Sequence, residues 1–337
     1  MTKERAHQIV ENLGYLIDIE DELKGLDLKK AIEKLKKEKN AVILAHFYQR
    51  PEIQDIADFV GDSLKLSQEA AKTKADMIVF AGVHFMAETA KILSPEKTVV
   101  IPDLNAGCSL ADSITPEGLA ELKKQYPEHM VISYVNTSAE IKAMSDLICT
   151  SSNAFRMIKT LPPEQKIIFT PDRNLGYYIK SLLDKSDEDF VIWDGACHVH
   201  NGFNKEAYEY MREKYPKAKL IAHPESPKEV LLIADFIGST SQLLKFVSEN
   251  EDKEFIVATE EGIIYQMKKQ NPDKKFHVLG GATCACGFCE FMKTITLEKL
   301  YLSLKYETPE IILDKKLIDA AYKPIKRMLN LSEKLGY

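Results

Sequence analysis

The chain has 337 residues, longer than one hydrophobic core comfortably serves, so two or three domains or a repeated unit are expected. Its 45% hydrophobic and 28% charged residues suit a globular protein and exclude a disordered chain, a collagen-like fibre and a coiled-coil rod, while a net charge of −6 argues against a nucleic-acid partner. No apolar run approaches the ~18 residues needed to cross a bilayer, and the charged N-terminus lacks a signal-peptide core, so a cytoplasmic protein whose cysteines are reduced or metal-bound is expected.

Residues 1–38 read as helix: Ile9, Leu13 and Leu16 recur at helical spacing, and Ala31, Ile32 and Leu35 do so again in a Lys/Glu-rich stretch. Ala41–Ala45 then forms a short, β-branched apolar run, the signature of a buried strand. From there such runs alternate with amphipathic segments, which is the pattern of parallel α/β sheets.

The alternation itself repeats. Asp58-Phe59-Val60-Gly61 returns as Asp146-Leu147-Ile148-Cys149 and as Asp235-Phe236-Ile237-Gly238, at intervals of 88 and 89 residues. Ahead of each Asp, an apolar strand ends at His46, Tyr134 or His223, followed two residues later by Tyr48, Asn136 or Glu225. Behind each Asp comes a hydroxyl, Ser63, Ser151 or Thr240. Third strands are predicted at 77–80, 167–170 and 255–258, and fourth strands at 99–101, 190–192 and 277–279. Each copy closes on a loop with a cysteine: Cys108, Cys197 and Cys289. Thr137-x-x-Glu140 and Ser226-x-x-Glu229 read as capping boxes, and Pro51 and Pro227 suit a first helical turn.

This predicts an α/β fold of three homologous small parallel-sheet domains: 39–127, 128–215 and 216–292. Helices precede them at 1–38, and helices at 293–337 pack back on the first repeat. In parallel sheets, ligands gather beyond the carboxyl ends of the strands, where the polar residues above all fall. A pseudo-threefold triangular arrangement would bring three strand-one groups, three hydroxyls and three cysteines to one central site. Three thiolates suit an iron–sulfur cube with one iron left open as a Lewis acid, since a closed zinc site wants a fourth ligand.

Several segments resemble those of the quinolinate synthase family: 45–49, 57–63, 134–137, Pro171-Asp172-Arg173-Asn174-Leu175-Gly176, His223-Pro224-Glu225, Gly238-Ser239-Thr240 and the three cysteine loops. The resemblance covers about residues 40 to 300. It implies a [4Fe–4S] cluster with three cysteine ligands, Cys108, Cys197 and Cys289. It also implies condensation of iminoaspartate with dihydroxyacetone phosphate to quinolinate in NAD biosynthesis, with loss of phosphate and water. The imine would come from an aspartate oxidase or dehydrogenase. By position, His46, Tyr134, Asn136, His223 and Glu225 match substrate-handling residues. Ser63, Ser151, Ser239 and Thr240 match residues that hold carboxylates or phosphate. His200 matches a site histidine, and Tyr48 a tyrosine on a loop closing over the substrate. Glu225 and Tyr48 are expected to act in the ketose–aldose isomerisation, with Tyr134 packing on the forming ring.

Other residues read as structural. Cys149 lies within a strand, and Trp193 is the only tryptophan and sits in one too. Asp58, Asp146 and Asp235 are read as helix caps or terminators. Cys284 and Cys286 are open between a redox pair, an alternative ligand and no role. Two rival functions stand beside the enzyme: a non-catalytic iron–sulfur or zinc module, and an aconitase-like hydro-lyase.

Overall fold

The structure is a computed structural model that describes residues 22–280 and 287–337. The helical reading of Ile9, Leu13 and Leu16, and both Cys284 and Cys286, lie outside the described residues. Among the described residues twelve strands form three four-stranded, all-parallel sheets. The first comprises β1 (Ala41–His46), β2 (Phe59–Gly61), β3 (Met77–Ala81) and β4 (Thr98–Val100). The second comprises β5 (Met130–Tyr134), β6 (Leu147–Cys149), β7 (Ile167–Thr170) and β8 (Phe190–Ile192). The third comprises β9 (Lys219–Ala222), β10 (Phe236–Ile237), β11 (Glu254–Ala258) and β12 (Lys275–Val278). Each sheet has the same order, with its first strand between its second and third. The sequence repeat is therefore a repeat of topology.

The register is pinned the same way three times. Asp58, Asp146 and Asp235 each accept a backbone N–H from the neighbouring first strand, of Ile43, Val131 and Leu220 respectively, all at 2.8 Å. They fasten strand to strand and cap no helix, contrary to the sequence reading. A carboxylate serves here because the residue entering a parallel edge strand leaves a first-strand donor beyond the ladder.

The expected capping boxes are also displaced. Thr137 is fully buried and its hydroxyl donates to the carbonyl of Tyr134, so Ser138 caps the next helix, accepting from Ile141 N–H. Ser226 likewise turns inward, toward Ala258 O, and leaves Pro227 as the N-cap of Lys228–Leu231 without a side-chain cap. Pro51 does occupy the first turn of its helix. A complete capping box occurs at Ser239 and Gln242, on the helix Thr240–Glu249.

The described chain divides into two compact units. One runs to Cys108 and is completed by Glu290–Asp319. Its core joins Ile43, Val79 and Val100 of the first sheet to Ile32 and to Leu300 and Leu304 of the helix Leu297–Tyr306. The other holds Ser109–Cys289 and Ala320–Tyr337, and so contains the second and third sheets. Ile114 and Leu119 pack there with Val131, Ile141 and Ile168. Leu220, Ala222 and Ile256 pack with Val199, Phe203 and Tyr208. The last helix, Lys315–Lys334, is joined to this unit where Asn153 Nδ2 donates to Ser332 Oγ at 2.9 Å. Trp193 packs on Gly118 and donates to Ser113 O, as a structural tryptophan should. Cys149 is fully buried, and that burial pushes its thiol up, away from reactivity. Among the described residues no helix is long and apolar enough to cross a membrane.

Candidate active site

The predicted polar residues follow the carboxyl ends of the strands, where a parallel sheet releases its chain into loops and helix starts. In the second unit, Tyr134 ends β5, Ser151 follows β6, Cys197 follows β8, and His223 and Glu225 follow β9. His200, Glu225 and His223 are each 2% exposed, so their polar atoms must find one another. His200 Nδ1 lies 2.7 Å from Glu225 Oε2, and its Nε2 lies 2.9 Å from the Thr259 hydroxyl. His223 Nε2 lies 3.1 Å from the Ser151 hydroxyl, and its Nδ1 accepts from Glu225 N–H at 3.4 Å. The two imidazoles stack with centroids 4.6 Å apart.

Glu225 is the hub. Burial alone would raise its carboxyl, but His200 above all, then His223 and the Tyr134 hydroxyl, hold it at about 2. Its backbone carbonyl accepts from Asn174 Nδ2 at 2.9 Å. Cys197, His200 and Glu225 present ligand-type atoms all within 4.8 Å of one another. A thiol, two imidazoles, a carboxylate and a phenol therefore meet in one buried place. Asn136 lies on the β5 loop, and its side-chain Oδ1 is buried without a hydrogen-bond partner. Ser239 accepts from Ser152 Oγ at 2.8 Å and caps the helix that Thr240 begins.

In the first unit, His46 and Tyr48 sit together, both buried, with ring centroids 4.4 Å apart. Tyr48 N–H donates to His46 Nδ1 at 3.2 Å, the same backbone-to-imidazole bond that Glu225 makes with His223. The Tyr48 loop is tied down: Lys293 Nζ donates to Tyr48 O, and Gln54 Nε2 donates to Phe47 O at 2.9 Å. Ser63 begins the helix Ser63–Lys72, which Asp62 caps. Cys108 is half-buried, at the end of the loop after β4.

The cysteine loops share one backbone device. His84 N–H donates to Ala106 O at 2.7 Å, Arg173 N–H to Gly195 O at 2.8 Å, and Glu261 N–H to Gly287 O at 2.6 Å. Each acceptor stands two residues before Cys108, Cys197 or Cys289. Two of the acceptors are glycine for a steric reason. A Cβ at Gly195 would meet Pro171 O at 2.5 Å; at Gly287, where φ is +100°, it would meet Val278 Cγ1 at 2.5 Å. Cys197 and Cys289 both pack against the core of the third sheet.

Sequence reasoning gave no role to Thr259, Glu260 or Asp172. Asp172 is fully buried, and burial, then the charge of Glu225, pushes its carboxyl well above the usual range. The signal was present: Asp172 and Glu260 both stand two residues beyond the third strand of their sheet.

With this geometry in view, comparison with known proteins is decisive. The family model for the quinolinate synthetase A protein matches residues 30–330. The chain belongs to that family. Among its relatives, the quinolinate synthase of Synechocystis is 56% identical over 307 residues, covering 91% of this chain and 96% of the relative. That of Nostoc punctiforme is 56% identical over 308 residues, covering 91% and 94%. That of Chloroherpeton thalassium is 55% identical over 313 residues, covering 92% and 96%. The family is one of enzymes, and so is this chain.

Proposed function

We propose that the chain condenses iminoaspartate with dihydroxyacetone phosphate to quinolinate for NAD biosynthesis, with an iron–sulfur cluster held by Cys108, Cys197 and Cys289. The observation that carries this reading is the buried Tyr134–Glu225–His200–His223 cluster set against Cys197. The three cysteines end loops of one design in three sheets of one topology, which favours a shared, triangular centre. Their thiols fit such a cluster better than a lone divalent ion, because three thiolates suit iron and sulfide and leave one iron open. When bound, the cluster would supply a Lewis acid for a substrate carboxylate or a departing hydroxyl.

The chain's own residues account for the proton transfers. Glu225 remains an anion, so the imidazoles beside it accept and release the proton that a ketose–aldose isomerisation moves between neighbouring carbons. With Nδ1 donating to Glu225, His200 Nε2 accepts a hydrogen bond from the Thr259 hydroxyl; the carboxylate thereby fixes the tautomer. Asn136 Oδ1, buried and unpartnered, would be satisfied by a substrate N–H or O–H donor. Ser63 and Thr240 open helices, where hydroxyls and backbone N–H groups together hold carboxylate or phosphate. His46 and Tyr48 supply a further acid–base pair, Tyr48 acting in the isomerisation while Glu225 holds the imidazoles in place.

The test is direct. Anaerobically purified protein should contain iron and sulfide and should form quinolinate from oxidised aspartate and the triose phosphate. Glu225→Gln should abolish turnover and keep the cluster's visible absorbance; loss of that absorbance would assign Glu225 a structural role instead. One observation favours a second reading: the Cys197–His200–Glu225 triplet has the donors of a single-metal site. Zinc without sulfide in the purified protein would establish it.

A further inference from the structure

Asp172 and Glu260 stand at the same place in two repeats and make the same pair of bonds. Asp172 Oδ1 accepts from Leu175 N–H at 2.7 Å, in the first turn of the helix Arg173–Leu183; its Oδ2 accepts from Cys197 N–H at 3.3 Å. Glu260 Oε2 accepts from Gly262 N–H at 2.7 Å, at the start of the helix Ile263–Gln270; its Oε1 accepts from Cys289 N–H at 3.2 Å. Both residues are 0% exposed. In each case the next residue donates its own N–H to the glycine carbonyl two positions before the cysteine. A cysteine loop is thus gripped twice, once by backbone and once by a buried carboxylate. In the first sheet the equivalent position is Val83, whose side chain accepts no hydrogen bond.

We infer that Asp172 and Glu260 are positioning residues for the iron–sulfur cluster, each clamping the main chain of one ligand so that its thiol is preset for metal. Burying a carboxylate is costly and is tolerated where fixed N–H donors satisfy it. Two such carboxylates, on two cysteine loops, mark a place where loop geometry matters more than the easiest packing. Each also keeps the cysteine N–H directed at a carboxylate oxygen. Net charge and N–H donors near the sulfurs are both levers on a cluster's potential. The inference rests on the assignment of Cys197 and Cys289 as cluster ligands.

The test uses the cluster-loaded protein and compares D172N, E260Q, C197S, C289S and D146N. D146N removes the charge from a carboxylate that makes a shorter structural bond than those to the cysteines, 2.8 Å to Val131 N–H, in the same unit but at the edge of its sheet. Iron release to a chelator is followed anaerobically, and the cluster's midpoint potential is measured. D172N and E260Q should fold and load, then lose iron about 10- to 100-fold faster than wild type, the usual cost of removing a ligand's supporting partner. E260Q should also shift the potential to a more positive value, while D146N releases iron at the wild-type rate. If C197S and C289S lose their iron while D172N and E260Q release it no faster than D146N, the clamp is overturned and the ligand assignment stands. If C197S and C289S retain a full complement of iron, the ligand assignment fails and the clamp with it.

Discussion

At the scale of single residues, function concentrates where burial and charge conflict. Tyr134→Phe removes one of the donors that stabilise the Glu225 anion and nothing else of size. The variant should lose about 2 kcal/mol of stability, in line with a hydrogen bond to a charged group, along with a larger share of its activity. Chemical denaturation and quinolinate formation measure the two effects separately. Gly287→Ala meets both a left-handed backbone and Val278, so it should cost about 1–3 kcal/mol, read as a lower melting temperature. The placement of His46, Tyr134, His223 and Glu225 at or just past the ends of first strands was legible in the sequence because they recur at fixed positions in a repeat. Asp172 and Glu260 share a register position but were given no role for a physical reason: they differ in length, and their backbone N–H partners cannot be read from residue identity.

At the scale of elements, the strands were read almost to the residue, since parallel strands buried on both faces appear as unbroken apolar runs. Helix starts were read less well. Thr137 and Ser226 have the right spacing for capping, but burial turns their hydroxyls toward strand carbonyls, of Tyr134 and Ala258, a tertiary preference that local pattern cannot contain. The aspartates before each second strand were likewise given to helices, whereas they bind first-strand N–H groups. Asp58 also holds Lys36 at 2.8 Å. Burial lowers the lysine's proton affinity, but Asp58 and Glu33 outweigh it and raise the folded-state value above 10.5. The stability this contributes is complete below pH 10.5 and is lost as pH climbs through the raised value. Lys36→Met should therefore lower stability across the neutral region and match wild type once pH passes the raised value, flattening the alkaline edge, which thermal melts across that range would show.

At the scale of the molecule, three small parallel-sheet α/β repeats were foreseen from spacing alone, but their strand order and the division into two units were not. Spacing records descent of the repeats, whereas compactness depends on which apolar faces meet. The last helix illustrates this: Ile325 and Met328 are fully buried, and Ser332 bonds Asn153 of the second unit. Ending the chain at Asp319 would remove both side chains and uncover the apolar surface they cover, at about 4 kcal/mol, and should lower the melting temperature by on the order of 10 °C. The first unit carries a different consequence. Its opening sheet is complete by Val100, yet its core waits for Leu300 and Leu304. A ribosome adding about 5–20 residues per second reaches them on the order of 10–40 s later. During that interval the nascent lobe lacks part of its core, and a message cut short before codon 300 would leave that apolar face uncovered.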